Sequence, residues 1–131
     1  MISHVTLGCD DIEASLAFWS PVLAALGARP RFVDRERPWA GWEPPGGGRP
    51  LFILTAPLNG EPAMPGNGTM VAFLASDRAT VRAVHALALL RGGTCEGAPG
   101  LRPEYHAHYH GAYLRDPAGN KLAIACHAPD A

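Results

Sequence analysis

Three of the six histidines and all three tyrosines of this chain fall in one run, EYHAHYHGAY, residues 104–113. His106, His108 and His110 are spaced at period two, so an extended strand would put them on one face. Three imidazoles on one face are a transition-metal site. Nothing requires the segment to be a regular strand, so the run reads instead as a tyrosine-rich entry to a strand, with its histidines solvated. If Tyr109 and Tyr113 share one face, His110 takes the other. His4 opens the first apolar strand and His127 closes the last. A site joining His4 to His110 or His127 is the weaker metal alternative.

The element that must position the tyrosines is a hairpin, GAYLRDPAGNKLAIACH, residues 111–127. Asp116-Pro117-Ala118-Gly119-Asn120 is its turn, with Asp116 capping it through its own backbone. Closing the hairpin there pairs Tyr113 with Ala123, Gly111 with Ala125 and Tyr109 with His127. A slip of one residue would turn every side chain to the opposite face.

The rest of the composition sets bounds. A chain of 131 residues suits one domain, 1–131. Net charge is −1 and the 11 basic residues are scattered, so nucleic acid is not an expected partner. No apolar run is long enough to span a membrane, and none resembles a leader, so a cytoplasmic location is expected. Cys9, Cys95 and Cys126 are odd in number and lack CxxC spacing, which suggests reduced thiols. Cys9 and Cys126 sit in apolar strands as small hydrophobes. One lysine, Lys121, among ten arginines hints at a GC-rich bacterial genome.

Residues 4–27 laid on 70–93 show a repeat. Val5 meets Val71, Leu7 meets Phe73, Asp11 meets Asp77 and Gly27 meets Gly93. Each copy begins with a short strand, then an aspartate at a helix N-cap. Asp10 with Glu13 also fits a capping box. The first helix carries a stripe of Ile12, Leu16, Trp19, Leu23 and Leu26, with Pro21 expected to kink or split it. The second carries Val81, Val84, Ala88 and Leu87, with His85 at its surface or edge. Three strand-like pieces follow each helix. The chain reads as α+β: two βαβββ modules, about 1–58 and 69–131, with a Gly- and Pro-rich linker at about 59–68.

These modules, the opening HVTLGCDDIEASLAFW and the closing YHGAYLRDPAGNKLAIACH resemble the vicinal oxygen chelate superfamily. That group includes glyoxalases, extradiol dioxygenases and bleomycin-resistance binding proteins. The resemblance implies a curled mixed-sheet cleft, often completed in a homodimer. It also implies four cleft positions holding His, Glu or Gln around a divalent metal that acts as a Lewis acid. Here those positions carry His4, a residue near Ile53, Met70 and Ala123. One imidazole is too few for a stable catalytic ion. No cofactor is therefore expected, with a divalent metal as the alternative.

Strand alternation gives the cleft lining as His4, Thr6, Met70, Ala123, Tyr109, Tyr113 and His127. Trp39 and Trp42 are expected at its rim, where they could stack on a planar ligand, or else in the core. Tyr113 matches a tyrosine that extradiol dioxygenases place beside their metal. The expected function is binding of a small organic molecule without the usual metal. The alternative is a divergent lyase or dioxygenase of the glyoxalase type, with His4 and Tyr113 as its catalytic candidates.

Overall fold

The computed structural model describes residues 1–129. The first module runs β1 (His4–Gly8), α1 (Ile12–Ala25), β2 (Arg29–Asp34), β3 (Trp39–Glu43) and β4 (Leu51–Thr55). The second runs β5 (Val71–Leu74), α2 (Arg78–Leu90), β6 (Thr94–Leu101), β7 (His110–Arg115) and β8 (Lys121–Cys126). Each module folds its strands into one four-stranded mixed sheet, ordered β1-β4-β3-β2 and β5-β8-β7-β6. The first and last strands of each module are parallel and the remaining pairs antiparallel. This is the expected pair of βαβββ units in an α+β fold.

The repeat is kept in detail. Asp11 caps α1 by accepting from the Ala14 N–H at 3.1 Å, and Asp77 caps α2 by accepting from the Thr80 N–H at 2.7 Å. Hydrogen bonds from the Thr80 side chain first, and then from this backbone N–H, hold the half-buried Asp77 carboxyl below the usual carboxylate range. The capping box expected from Asp10 and Glu13 does not form. Asp10 precedes the cap and instead accepts from the linker Ala63 N–H at 2.8 Å, while Glu13 pairs with Arg35.

α1 continues unbroken through Pro21. The buried arc of this helix is wider than one stripe, since Phe18 and Val22 are as buried as Trp19 and Leu23. The reason is that α1 meets elements of both modules. A Cβ at Gly93, just beyond α2, would stand 2.7 Å from the Phe18 ring. The Trp19 ring lies 4.6 Å from Phe52 on β4 and 5.5 Å from Phe73 on β5. The two modules therefore share one core within a single chain.

Three side chains are buried deeply enough to fix their neighbours. Trp42 is 2% exposed and packs in the core against Phe52, because Ala40 and Trp42 share the inward parity of β3. His85 is 8% exposed rather than at the surface, with Nε2 3.2 Å from the Cys95 sulfur. Its burial pushes the imidazole pKa down. The third is Asp116, at 3% exposure. It closes its own turn as expected, accepting from the Asn120 N–H at 2.7 Å. It also accepts from the Trp19 indole N–H at 2.9 Å, across the two modules. Asn120 adds a further tie, donating through Nδ2 to the Gly8 carbonyl at 2.9 Å.

Cys9 and Cys126 are buried, and burial pushes the Cys9 thiol up, away from the reactive thiolate. The outer strands β2 and β6 each carry a proline, Pro30 and Pro99, and a register shift beside it. Among the described residues no helix is long and apolar enough to cross a membrane.

Removing the indole N–H leaves one buried oxygen of Asp116 short of a donor. Trp19→Phe is expected to lower stability by about 2 kcal/mol, part of it from lost volume. A shift of the urea unfolding midpoint measures it, and an unchanged midpoint would mean that the tie between modules carries no weight.

Candidate functional site

Leu122, Ile124 and Cys126 of β8, with Ala112 and Leu114 of β7, point into the core. Strand alternation puts Lys121, Ala123 and Ala125, with Gly111, Tyr113 and Arg115, on the opposite, open face of the sheet. The register is the one expected: Tyr113 lies beside Ala123 and Gly111 beside Ala125. Ala123 is fully buried between Tyr113 and Ala72 of β5.

Beyond the strand ends, residues 102–109 form turns and not the strand that would line up three histidines. The Arg102 N–H donates to the Tyr109 carbonyl at 2.9 Å and closes this loop. His110 accordingly follows the inward parity of β7 and is buried. His108 is exposed. His106 turns to His127, with Nε2 2.8 Å from Nδ1 of His127 and the rings stacked.

The tautomers follow from the hydrogen bonds. The His108 backbone N–H donates to Nδ1 of His106 at 3.1 Å, so that nitrogen carries a lone pair. The proton of His106 is then on Nε2 and is donated to His127. His127 in turn carries its own proton on Nε2 and can donate it onward.

Tyr109 fills the angle between these rings, with centroids 5.8 Å from His106, 5.2 Å from His127 and 5.0 Å from Tyr105. Its ring lies back over Gly111, where a Cβ would stand 2.8 Å from Cε1. Only glycine leaves room for it. The Tyr109 and Tyr113 hydroxyls meet at 3.1 Å. Burial, and then the bond to Tyr109, push the Tyr113 hydroxyl above the usual tyrosine range, so Tyr113 is a phenol at neutral pH.

Two cations that the sequence reading missed flank this ring. The Arg102 guanidinium carbon lies 5.5 Å from the Tyr113 centroid and the Lys121 Nζ lies 5.6 Å from it. The signal was present in the sequence. GAPGLRP puts glycines at 97 and 100 under an arginine, and the single lysine stands two residues before Ala123.

The remaining candidates are elsewhere. Met70 precedes β5 and is exposed. His4 and Thr6 are exposed on β1, beside Leu51 and Ile53 of β4, and His4 meets the Ser3 hydroxyl at 2.9 Å. Trp39 is half-buried on β3 between the Phe32 ring, at 4.4 Å, and the Arg37 guanidinium, at 3.5 Å. Thr6 also lines a 790 Å³ hollow with Thr55, Pro57, Leu58 and the linker residues Pro62 and Met64. No hydrogen bond or ring contact joins His4, Thr6 or Trp39 to the tyrosine cluster. Trp42 takes the core alternative and not the rim.

The donor set at the four metal positions, His4, Ile53, Met70 and Ala123, has one imidazole and does not fit a divalent ion. Among the described residues, no group of three or more His, Cys, Asp or Glu could hold one.

A family model described as the Glyoxalase/Bleomycin resistance protein/Dioxygenase superfamily matches residues 1–124. Among solved structures, a glyoxalase/bleomycin resistance protein from Albidiferax ferrireducens is 36% identical, covering 98% of this chain and 99% of that one, with a TM-score of 0.83. A glyoxalase-related enzyme from Fulvimarina pelagi is 21% identical, covering 96% of this chain and 87% of that one, at 0.72. A lactoylglutathione lyase from Agrobacterium tumefaciens is 22% identical, covering 96% and 92%, at 0.65. These last two share the fold. No curated protein sequence matches the chain. A family match over nearly all the residues, with a relative 36% identical along its full length, means that the chain belongs to the glyoxalase/bleomycin resistance protein/dioxygenase superfamily.

Proposed function

We propose that the protein binds a small organic molecule on the open face of the β5-β8-β7-β6 sheet and does so without the divalent metal typical of its family. The observation that carries this reading is the exchange at Ala123. Where the family places a carboxylate ligand there is a buried methyl group, with Tyr113 beside it and the Tyr109 hydroxyl 3.1 Å from that of Tyr113. The aromatic rings supply flat apolar area, and the Tyr113 hydroxyl and His127 Nε2–H supply hydrogen bonds. Tyr113, held as a phenol, serves as a donor and not as a base.

The proposal extends to a homodimer. His4, Thr6 and Trp39 lie on the other sheet from the tyrosine cluster. A second copy that laid one sheet's open face over the other's would enclose a cleft. Light scattering is expected to give a mass of two chains. A monomer at micromolar concentration would remove this part of the proposal.

Metal content tests the central claim. Untagged protein prepared without chelator is expected to hold far less than one divalent ion per chain. One tightly bound ion per chain would overturn it and turn attention to a lyase or dioxygenase with His4 at its metal. In parallel, planar aromatic probes are expected to bind saturably. Tyr113→Phe should weaken them by about tenfold, the value of one hydrogen bond at a desolvated site.

The protonation of Tyr113 has its own signature. In the ultraviolet titration of the three tyrosines, one is expected to ionise above the ordinary tyrosine range. In Tyr113→Phe that late step should disappear. Its persistence would assign the raised hydroxyl to another residue.

A further inference from the structure

The arrangement of charge around Tyr113 says more about the ligand. The Arg102 side chain folds back over the edge strand β6, with its guanidinium above two glycines. A Cβ at Gly97 would stand 3.3 Å from one terminal nitrogen, and a Cβ at Gly100 would stand 3.1 Å from the other. The same Cβ at Gly97 would be 3.0 Å from the Tyr113 ring. The two glycines thus make a floor on which the guanidinium and the phenol ring lie side by side. Arg102 is fixed there by donating to the Ala98 carbonyl at 2.7 Å and, through its own backbone N–H, to Tyr109.

Its charge is not answered. Among the described residues, carboxylates pair with Arg31, Arg35 and Arg115, and neither Arg102 nor Lys121 has one within ion-pair distance. Arg115, the next residue along this face, is held by Glu96 at 2.7 Å and by the Gly119 carbonyl at 3.0 Å. A chain whose net charge is −1 therefore sets two uncompensated cations against one aromatic ring. A guanidinium with most of its five N–H donors unused, with an ammonium at the same ring, matches the oxygens of a carboxylate or phosphate.

We propose that Arg102 and Lys121 are the anion-binding end of the site, and that the ligand is an aromatic compound bearing a carboxylate or phosphate group. The inference rests on the reading of this face as a small-molecule site. The ring of the ligand lies on Tyr109 and Tyr113, and its oxyanion faces the two cations.

The chain offers a direct reporter, because Lys121 is its only lysine. Reductive methylation with ¹³C formaldehyde keeps the positive charge and gives one dimethyl-lysine resonance apart from the amino terminus. Three probes of one shape are titrated: 2-naphthoate, 2-naphthyl phosphate and the uncharged 2-naphthamide. At least one anion is expected to shift the Lys121 signal saturably and bind about tenfold more tightly than the amide. Whichever anion is tighter names the oxyanion. Arg102→Met should reduce that preference several-fold, while Arg102→Lys should restore part of it. Added sodium chloride should weaken the anions alone.

Equal affinity for the anions and the amide would overturn the anion assignment and leave the aromatic site standing. An anion preference undiminished in Arg102→Met would also overturn it. No shift of Lys121 with any probe would overturn the inference. The metal content of the protein separately decides the reading on which it rests.

Discussion

A buried carboxylate holds this structure together. Asp116 lies out of water and is satisfied by the Trp19 indole, the Asn120 backbone N–H and, at 3.1 Å, the Asn120 side chain. A desolvated charge is tolerable only with such a set of donors, and the donors fix its position. One of them comes from the helix of the first module and two from the hairpin of the second. Because Asp116 and Asn120 also close the hairpin, one carboxylate fixes both the docking of the modules and the β7–β8 register. That register alone sets Tyr113 beside Ala123 and the ends of the two strands where Tyr109 meets His127.

The functional face is shaped as much by missing side chains as by those present. Ala72, Ala123 and Ala125 give a smooth floor, and Gly97, Gly100 and Gly111 let long side chains fold back over the backbone. Arg102 and Tyr109 reach the site from a loop, but they are held against strands. Their positions therefore inherit the rigidity of the sheet, which a purely loop-borne site lacks. The first module has a similar device in Gly41, where a Cβ would stand 2.5 Å from the Phe32 ring that packs against Trp39.

Much of this was legible in the sequence, and the parts that were not share a physical cause. The repeat, the helix caps at Asp11 and Asp77 and the pairing of Tyr113 with Ala123 are all set by local chemistry. A turn or a cap can be read from a few neighbouring residues. The neighbours of Trp42, His85 and Phe18 are distant in sequence. Whether such side chains are buried depends on which elements dock, and that is not written beside them. The three histidines of the run do not align, for a different reason. Period two aligns imidazoles only on a strand, and residues 102–109 turn. The cations at Arg102 and Lys121 escaped notice because each is ordinary alone and becomes a feature only beside the same ring.

The outer strands have a consequence for how this molecule meets others. At the far edges of the two sheets, β2 and β6 each present a proline that cannot donate to a ladder, and each breaks register near it. A strand arriving from solvent finds no continuous row of N–H groups there to template it. Those two edges are thus guarded against the edge-to-edge growth that leads open sheets into aggregates. Recognition is left to the side-chain-bearing faces, where specificity can be encoded.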